Sequence, residues 1–128
     1  MSGPAADYHA RTLAHFCRPR HAGSLDPDAS DVVTAEVGRY ESGAVVRLQA
    51  RMRGGVARTV RFKAYGGVAV IACASLAARR LTGQCPDRAN GVGALELAAA
   101  LRLPPAARGA AVLAEDAVRE LAGRCGNR

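Results

Sequence analysis

Four cysteines, Cys17, Cys73, Cys85 and Cys125, and two histidines flanking the first of them, His15 and His21, are the residues best suited to metal or sulfur chemistry. Zinc and iron-sulfur centres need about four thiolate, imidazole or carboxylate donors converging on one point. The cysteines are dispersed and no two form a C-x-x-C pair, which argues against a local zinc knuckle and against a disulfide framework. His15, Cys17 and His21 fall within seven residues, a spacing that fits no standard zinc pattern. Cys85 lies in a loop and Cys125 near the end, so both read most simply as incidental thiols. Glu115 and Asp116 are adjacent; their carboxylates diverge on a helix, and capping or surface charge explains them better than paired acid-base work.

A second feature is "KAYGGVAVIACAS", residues 63–75, which reads as a strand end, a Gly-Gly turn and the opening of an apolar helix. Backbone N–H groups converging at such a turn suit an anion, a phosphate or a metal centre. Gly66, Gly67, Val68 and Ala69 carry no reactive side chain, however, and the only sulfur nearby is Cys73. It stands six residues beyond Gly67, about 9 Å of helical rise away, and is expected to point into the helix packing. The alternative is a relocated ligand or persulfide acceptor.

The elements that must position these groups fit one domain: 128 residues are enough for a single core. Hydrophobic residues make up 49% and aromatics only 4%, with no Trp, so the core must be built of Ala, Val and Leu. No apolar run reaches bilayer length, and "MSGPAADYHARTLAHF" lacks the basic-then-apolar order of a secretory signal, so a cytoplasmic protein is expected. The formal charge of +7 favours acidic partners. Yet Lys63 is the only lysine, the arginines are scattered, and no aromatics lie between them for base stacking, which argues against nucleic acid.

Residues 1–7 are expected to be a loose end, 8–123 one domain and 124–128 a tail. Leu13 and Phe16 suit a helix over Tyr8–Phe16, ended near Pro19 and Gly23. Alternation in "VVTAEVGRY" and "AVVRLQARM" predicts two strands, with Val46, Leu48, Ala50 and Met52 facing one way and Arg47, Gln49 and Arg51 the other. Arg53, Gly54 and Gly55 connect tightly to a third strand, "VARTVRFKAY", in which Arg58 breaks the apolar face and suggests a frayed end. Three helices follow: Val68–Leu81, largely buried and capped by Gly83; "GALELAAALRL", halted by Pro104 and Pro105; and "GAAVLAEDAVRELAGR", stopped by Gly123. The fold class is therefore α+β: a three-stranded antiparallel sheet with an N-terminal helix and a C-terminal set of helices on one face.

"HFCRPRHAGSLD" at 15–26, "RFKAYGG" at 61–67, "LRLPP" at 101–105 and "VLAEDAV" at 112–118 resemble the matching segments of the IscU and NifU N-terminal family of iron-sulfur cluster scaffolds, over about Tyr8 to Gly123. The resemblance places the family's first cluster cysteine at Ser42, its nearby aspartate at Ala44, its second cysteine at Gly67, and its third cysteine and the preceding histidine at Ala110 and Gly109. It also accounts for His15, where members tend to carry a histidine. A [2Fe-2S] or zinc site at these positions would have no thiolate, so neither cofactor is expected there. Members present Leu-Pro-Pro-Val-Lys to an Hsp70-type chaperone; Leu103, Pro104 and Pro105 match, whereas Ala106 and Ala107 replace the rest. A rigid connector between helices is the competing reading of that segment.

The resemblance implies a role in cluster assembly, and the replaced ligands turn the expectation towards a non-enzymatic binding or regulatory partner. The partners implied are a cysteine desulfurase, a co-chaperone or an active scaffold paralogue, with homo- or hetero-oligomers both open. Two alternatives stand beside it: a metal or cluster carrier using displaced ligands such as Cys73, and a basic anion or nucleic-acid binder using the Gly66-Gly67 turn.

Overall fold

The computed structural model describes residues 9–17 and 20–126. The expected loose segment 1–7, Pro19, residues 127–128, and the side chains of Leu13, Phe16 and Cys17 lie outside the described residues. Strands β1 (Val32–Arg39), β2 (Ala44–Arg53) and β3 (Val56–Tyr65) form one antiparallel sheet in the order β1-β2-β3. Before the sheet comes helix α1 (Ala10–Cys17), and after it come α2 (Val68–Leu81), α3 (Ala94–Leu101) and α4 (Arg108–Gly126).

Because side chains alternate along a strand, β2 has two different faces. Val46, Leu48 and Ala50 are buried towards the helices, with Val33 and Ala35 of β1 and Val60 and Phe62 of β3 beside them. The opposite face carries Arg47, Gln49 and Arg51, and each of the three holds the segment that leads from α1 to β1. Arg47 Nη2 donates to Ser24 Oγ at 2.6 Å, and the Leu25 N–H donates to Gln49 Oε1 at 2.8 Å. Arg51 Nη1 reaches both carboxylate oxygens of Asp31, at 2.9 and 2.8 Å. Gln49 also donates to Thr34 Oγ1 at 3.0 Å and is 1% exposed. The polar face expected from the alternation is therefore a fastening for a strap, and its amide is buried with both ends satisfied.

The strap also adds to the sheet edge. Phe62 N–H donates to the His21 carbonyl and the Gly23 N–H donates to the Phe62 carbonyl, both at 3.0 Å, making a parallel bridge at Ala22. Gly54 (φ 61) and Gly55 (φ 78) supply the two left-handed residues of a tight hairpin turn between β2 and β3. Arg58 is not at a frayed end. The register pairs Arg51 with Thr59 and Met52 with Ala57, so Arg58 is the extra residue of a β-bulge. The bulge lets Ala57 turn inward, fully buried, and exchange backbone hydrogen bonds with Gly83 and Gln84.

Helix α2 has nine buried residues out of fourteen, which follows from its position: β3 lies on one side, with α1, α3 and α4 around it. Its small residues, Ala72, Cys73, Ala74, Ala77 and Ala78, let the neighbours approach closely. Helix α1 rests on α2 and α3, where the buried Thr12 Oγ1 donates to the Leu101 carbonyl at 2.7 Å and satisfies an acceptor at the end of α3. That end is made by Arg102 in the left-handed region (φ 51), with Leu103 N–H bonded to the Ala98 carbonyl. Pro104 and Pro105 follow the stop and do not cause it. Gly123 does not stop α4, which continues to Gly126: Cys125 packs against the core, and Arg124 Nε bonds Glu120 Oε1 at 3.0 Å. That anchoring outweighs the roughly 1 kcal/mol a glycine costs inside a helix.

Replacing Gln49 with Ala strands the Leu25 amide and the Thr34 hydroxyl. The expected loss is about 1–3 kcal/mol in urea unfolding, together with faster hydrogen exchange at Leu25 than at buried amides of β2.

Candidate functional site

Two turns meet at one end of the sheet. The first joins β1 to β2: Tyr40–Ser42 form a single 3-10 turn, and Gly43 (φ 87) closes it by donating its N–H to the Tyr40 carbonyl at 3.0 Å. Ser42 is exposed, and Ala44 begins β2 half-buried. Gly38, just before this turn, has φ 93, and a side chain there would run into the Ala44 carbonyl oxygen, so the turn is held close.

The second turn joins β3 to α2. Val45 pairs with Tyr65, which sets this turn beside Ala44. The rings of Tyr40 and Tyr65 meet at 5.2 Å between centroids, tilted by 50°, and bind the two turns together on the outside. Gly66 has φ 148, and a Cβ there would press on Val70 at 3.0 Å. Gly67 differs. It precedes α2 in an ordinary extended conformation (φ −75, ψ −178), is exposed, and has open space around the position of a Cβ.

The third element is the start of α4. At its other end, Arg124 lies by Val32 and Val33, and Cys125 by Met52, Gly54 and Gly55. A helix of 19 residues spans about 28 Å, close to the length of a ten-residue strand. Gly109 and Ala110, at the opposite end of α4, therefore lie away from the β2–β3 hairpin. Gly109, like Gly67, has open space where a side chain would stand.

Residues 7–124 match the NifU-like N terminal domain family. The chain belongs to that family. It is 36% identical over 120 residues to the iron-sulfur cluster assembly enzyme IscU of Drosophila melanogaster, an overlap of 93% of this chain and 78% of that one. With the iron-sulfur cluster assembly scaffold protein IscU of Azotobacter vinelandii it shares 35% over 113 residues, 88% of each chain. In fold it is similar to a NifU-like N-terminal protein from Brucella abortus, with a TM-score of 0.71, 20% identity and 94% of both chains covered. The α+β architecture is that of the NifU-like domain, and iron-sulfur cluster assembly is the activity of its family.

Of the five positions that the resemblance marks for cluster ligands, Ser42 Oγ is the only side-chain donor. One hydroxyl does not meet the need of a cluster, for which thiolates supply most of the affinity. Among the described residues, no group of three His, Cys, Asp or Glu is arranged to hold a metal ion.

The remaining candidates lie elsewhere. Cys73 is 0% exposed in the core, and burial pushes its thiol up to about 12, so it is not a thiolate. Leu103 is buried as the residue that follows the α3 stop, and Pro104 is half-buried. Of "LPP", Pro105 alone is exposed, so the segment acts first as a corner between α3 and α4. Among the described residues, no helix is long and apolar enough to cross a membrane. His15 and His21, whose spacing matches no zinc pattern, do come together, in a cleft on the α1 side of α2. Ser75 and Arg79 join them there; the one signal for this in the sequence is a serine inside an otherwise apolar helix.

Iodoacetamide at pH 8 is expected to leave Cys73 unmodified in the folded protein and to alkylate it fully in urea, as read by peptide mass spectrometry. Because the folded-state thiol is held above its ordinary 9.0, its contribution to stability is whole below pH 9. It falls at about 1.4 kcal/mol per pH unit towards pH 12. Cys73→Ala should remove that alkaline component from urea unfolding curves.

Proposed function

We propose that this chain is a non-enzymatic binding or regulatory partner within iron-sulfur cluster assembly, which keeps the scaffold's shape without carrying the cluster itself. One observation supports the reading: of the five positions that the resemblance marks for ligands, Ser42, Ala44, Gly67, Gly109 and Ala110, four have no donor atom beyond the backbone. The backbone does not force this loss. Gly67 and Gly109 have room for a side chain, and Gly67 has ordinary dihedral angles. A cysteine would be accommodated at Gly67, so glycine there is not a structural necessity.

The partners proposed are those that meet a scaffold's surface: a cysteine desulfurase, a co-chaperone or an active scaffold paralogue, the last as a hetero-oligomer. A surface that displays the scaffold's turns but accepts neither sulfur nor iron would occupy such a partner without turnover. The net charge of +7 would speed docking to an acidic face. The setting proposed is the cytoplasm. The displaced-ligand alternative is disfavoured by the burial of Cys73, because a protonated thiol in the core neither binds iron nor accepts sulfur.

Anaerobic reconstitution with iron and sulfide tests the reading. The wild type is expected to retain far less than one cluster per chain after desalting, whereas the Ser42→Cys, Gly67→Cys, Ala110→Cys triple variant gains stable iron and visible absorption. The wild type should still compete with an active scaffold for a desulfurase in a pull-down. Stoichiometric iron on the wild type, lost in Cys73→Ser, would overturn the proposal.

A further inference from the structure

The cleft that gathers His15 and His21 is at a different place from the Ser42 and Gly67 turns, and its chemistry is different. It measures about 490 Å³ and is lined by Ala14 and His15 of α1, Arg20 and His21 of the strap, and Ser75 and Arg79 of α2. That volume lies in the range of small-ligand sites. Every ionisable group among the described lining residues is basic. Among the described residues the ion pairs engage Arg51, Arg119 and Arg124, and neither Arg20 nor Arg79 takes part in one. Arg80, the next residue of α2, is turned away, with Nη1 donating to the Gly91 carbonyl at 2.8 Å.

The imidazoles are held in place from behind. His15 Nδ1 and Ser75 Oγ share a hydrogen bond of 3.1 Å, and Ser75 is 2% exposed, so a buried hydroxyl fixes the ring. His21 Nδ1 lies 3.3 Å from the Val60 carbonyl. A carbonyl only accepts, so Nδ1 carries the proton and Nε2 gains one only in the imidazolium form. The backbone of His21 is in turn pinned by its carbonyl, which accepts from Phe62 N–H at 3.0 Å. Two guanidinium groups and two positioned imidazoles thus share one concavity, with no carboxylate among its described lining residues.

We propose that this cleft binds a small ligand through a tetrahedral dianion of the phosphate type, with Arg20 and Arg79 as the charged clamp and His15 and His21 as donors. Guanidinium forks match such oxygens, and the cationic lining repels a metal ion. An inorganic phosphate fills only part of about 490 Å³, so the natural ligand is a phosphate ester with a modest organic portion.

Protonation is coupled to binding. Partial burial, then the nearby Arg79, Arg80 and His21, hold the His15 imidazole below its ordinary value of 6.5, so the empty cleft keeps it neutral at pH 7. An anion among these charges reverses their effect and draws a proton onto His15, so affinity rises as the pH falls. Arg20 is the other charged group among the described lining residues.

The test is a titration followed by NMR of the histidine rings and the Ser75 and Arg79 amides, at constant ionic strength set with chloride. Sulfate is the first probe, since its charge does not change between pH 6 and 8; phenyl phosphate and citrate follow. Saturable shifts at His15 and His21 are expected, with sulfate tighter at pH 6 than at pH 8 and phenyl phosphate tighter than citrate. Arg79→Gln, an exposed position, should weaken binding by about tenfold or more, and His15→Gln should reduce the pH dependence. Arg53→Gln, at the distant hairpin, should leave both unchanged. Shifts that do not saturate, or that weaken equally in Arg53→Gln and Arg79→Gln, would show only diffuse attraction to a basic surface and overturn the site. Citrate binding as tightly as phenyl phosphate would overturn the assignment of a tetrahedral anion.

Discussion

The middle strand of a three-stranded sheet has both backbone edges occupied, so what distinguishes its residues is which face they take. In β2 the two faces have opposite duties. Val46, Leu48 and Ala50 close the helical core, and Arg47, Gln49 and Arg51, one step out of phase, tie down the strap. A shift of register by one residue would exchange the two sets, burying two guanidinium groups and exposing the core. The strap therefore depends on the same pairing that forms the core, and so does everything it carries, including Arg20 and His21. Helix α2 completes the arrangement from the other side, since it supplies the floor of the histidine cleft and begins just after Gly67.

The glycines of the two turns and of the start of α4 are of two kinds. Gly38, Gly43 and Gly66 have positive φ, and Gly38 and Gly66 also meet close neighbours, so they belong to the shape of the turns. Gly67 and Gly109 have neither constraint. The positions needed for shape and the positions needed for chemistry are thus distinct, and a chain can lose the second while keeping the first. Such separability is what the proposed role requires: a partner that reads turns and an aromatic pair meets the same outline whether or not a thiolate stands in it.

Much of this was legible in the residues, because alternation and turn glycines are local signals. The strands, the hairpin at Gly54-Gly55 and the span of α2 all follow from them. What was not legible depends on tertiary placement. Arg58 breaks the alternation because a bulge needs one extra residue, and only the pairing with β2 reveals it. Gly123 looks like a helix stop until Cys125 is seen anchored against the core. Pro104 and Pro105 look like a stop as well, although Arg102 had already ended α3 in a conformation that a non-glycine residue seldom adopts. In the cleft, His15 and His21 suggested a metal by type, and the neighbouring Arg20 and Arg79, from separate segments, reverse the sign of the ligand that the site attracts.

The short bridge at Ala22 has a consequence for how copies of this chain behave in concentrated solution. A strand at the edge of a sheet offers unpaired backbone groups as a template for any passing chain. On β3, both outward groups of Phe62 are already taken by His21 and Gly23, so a template there is interrupted at its middle. Strand-to-strand aggregation is left to the free edge of β1, where Glu36 and Arg39 are exposed and a charged side chain resists stacking. The same few residues that lead the chain from α1 to the sheet thus also guard its solubility.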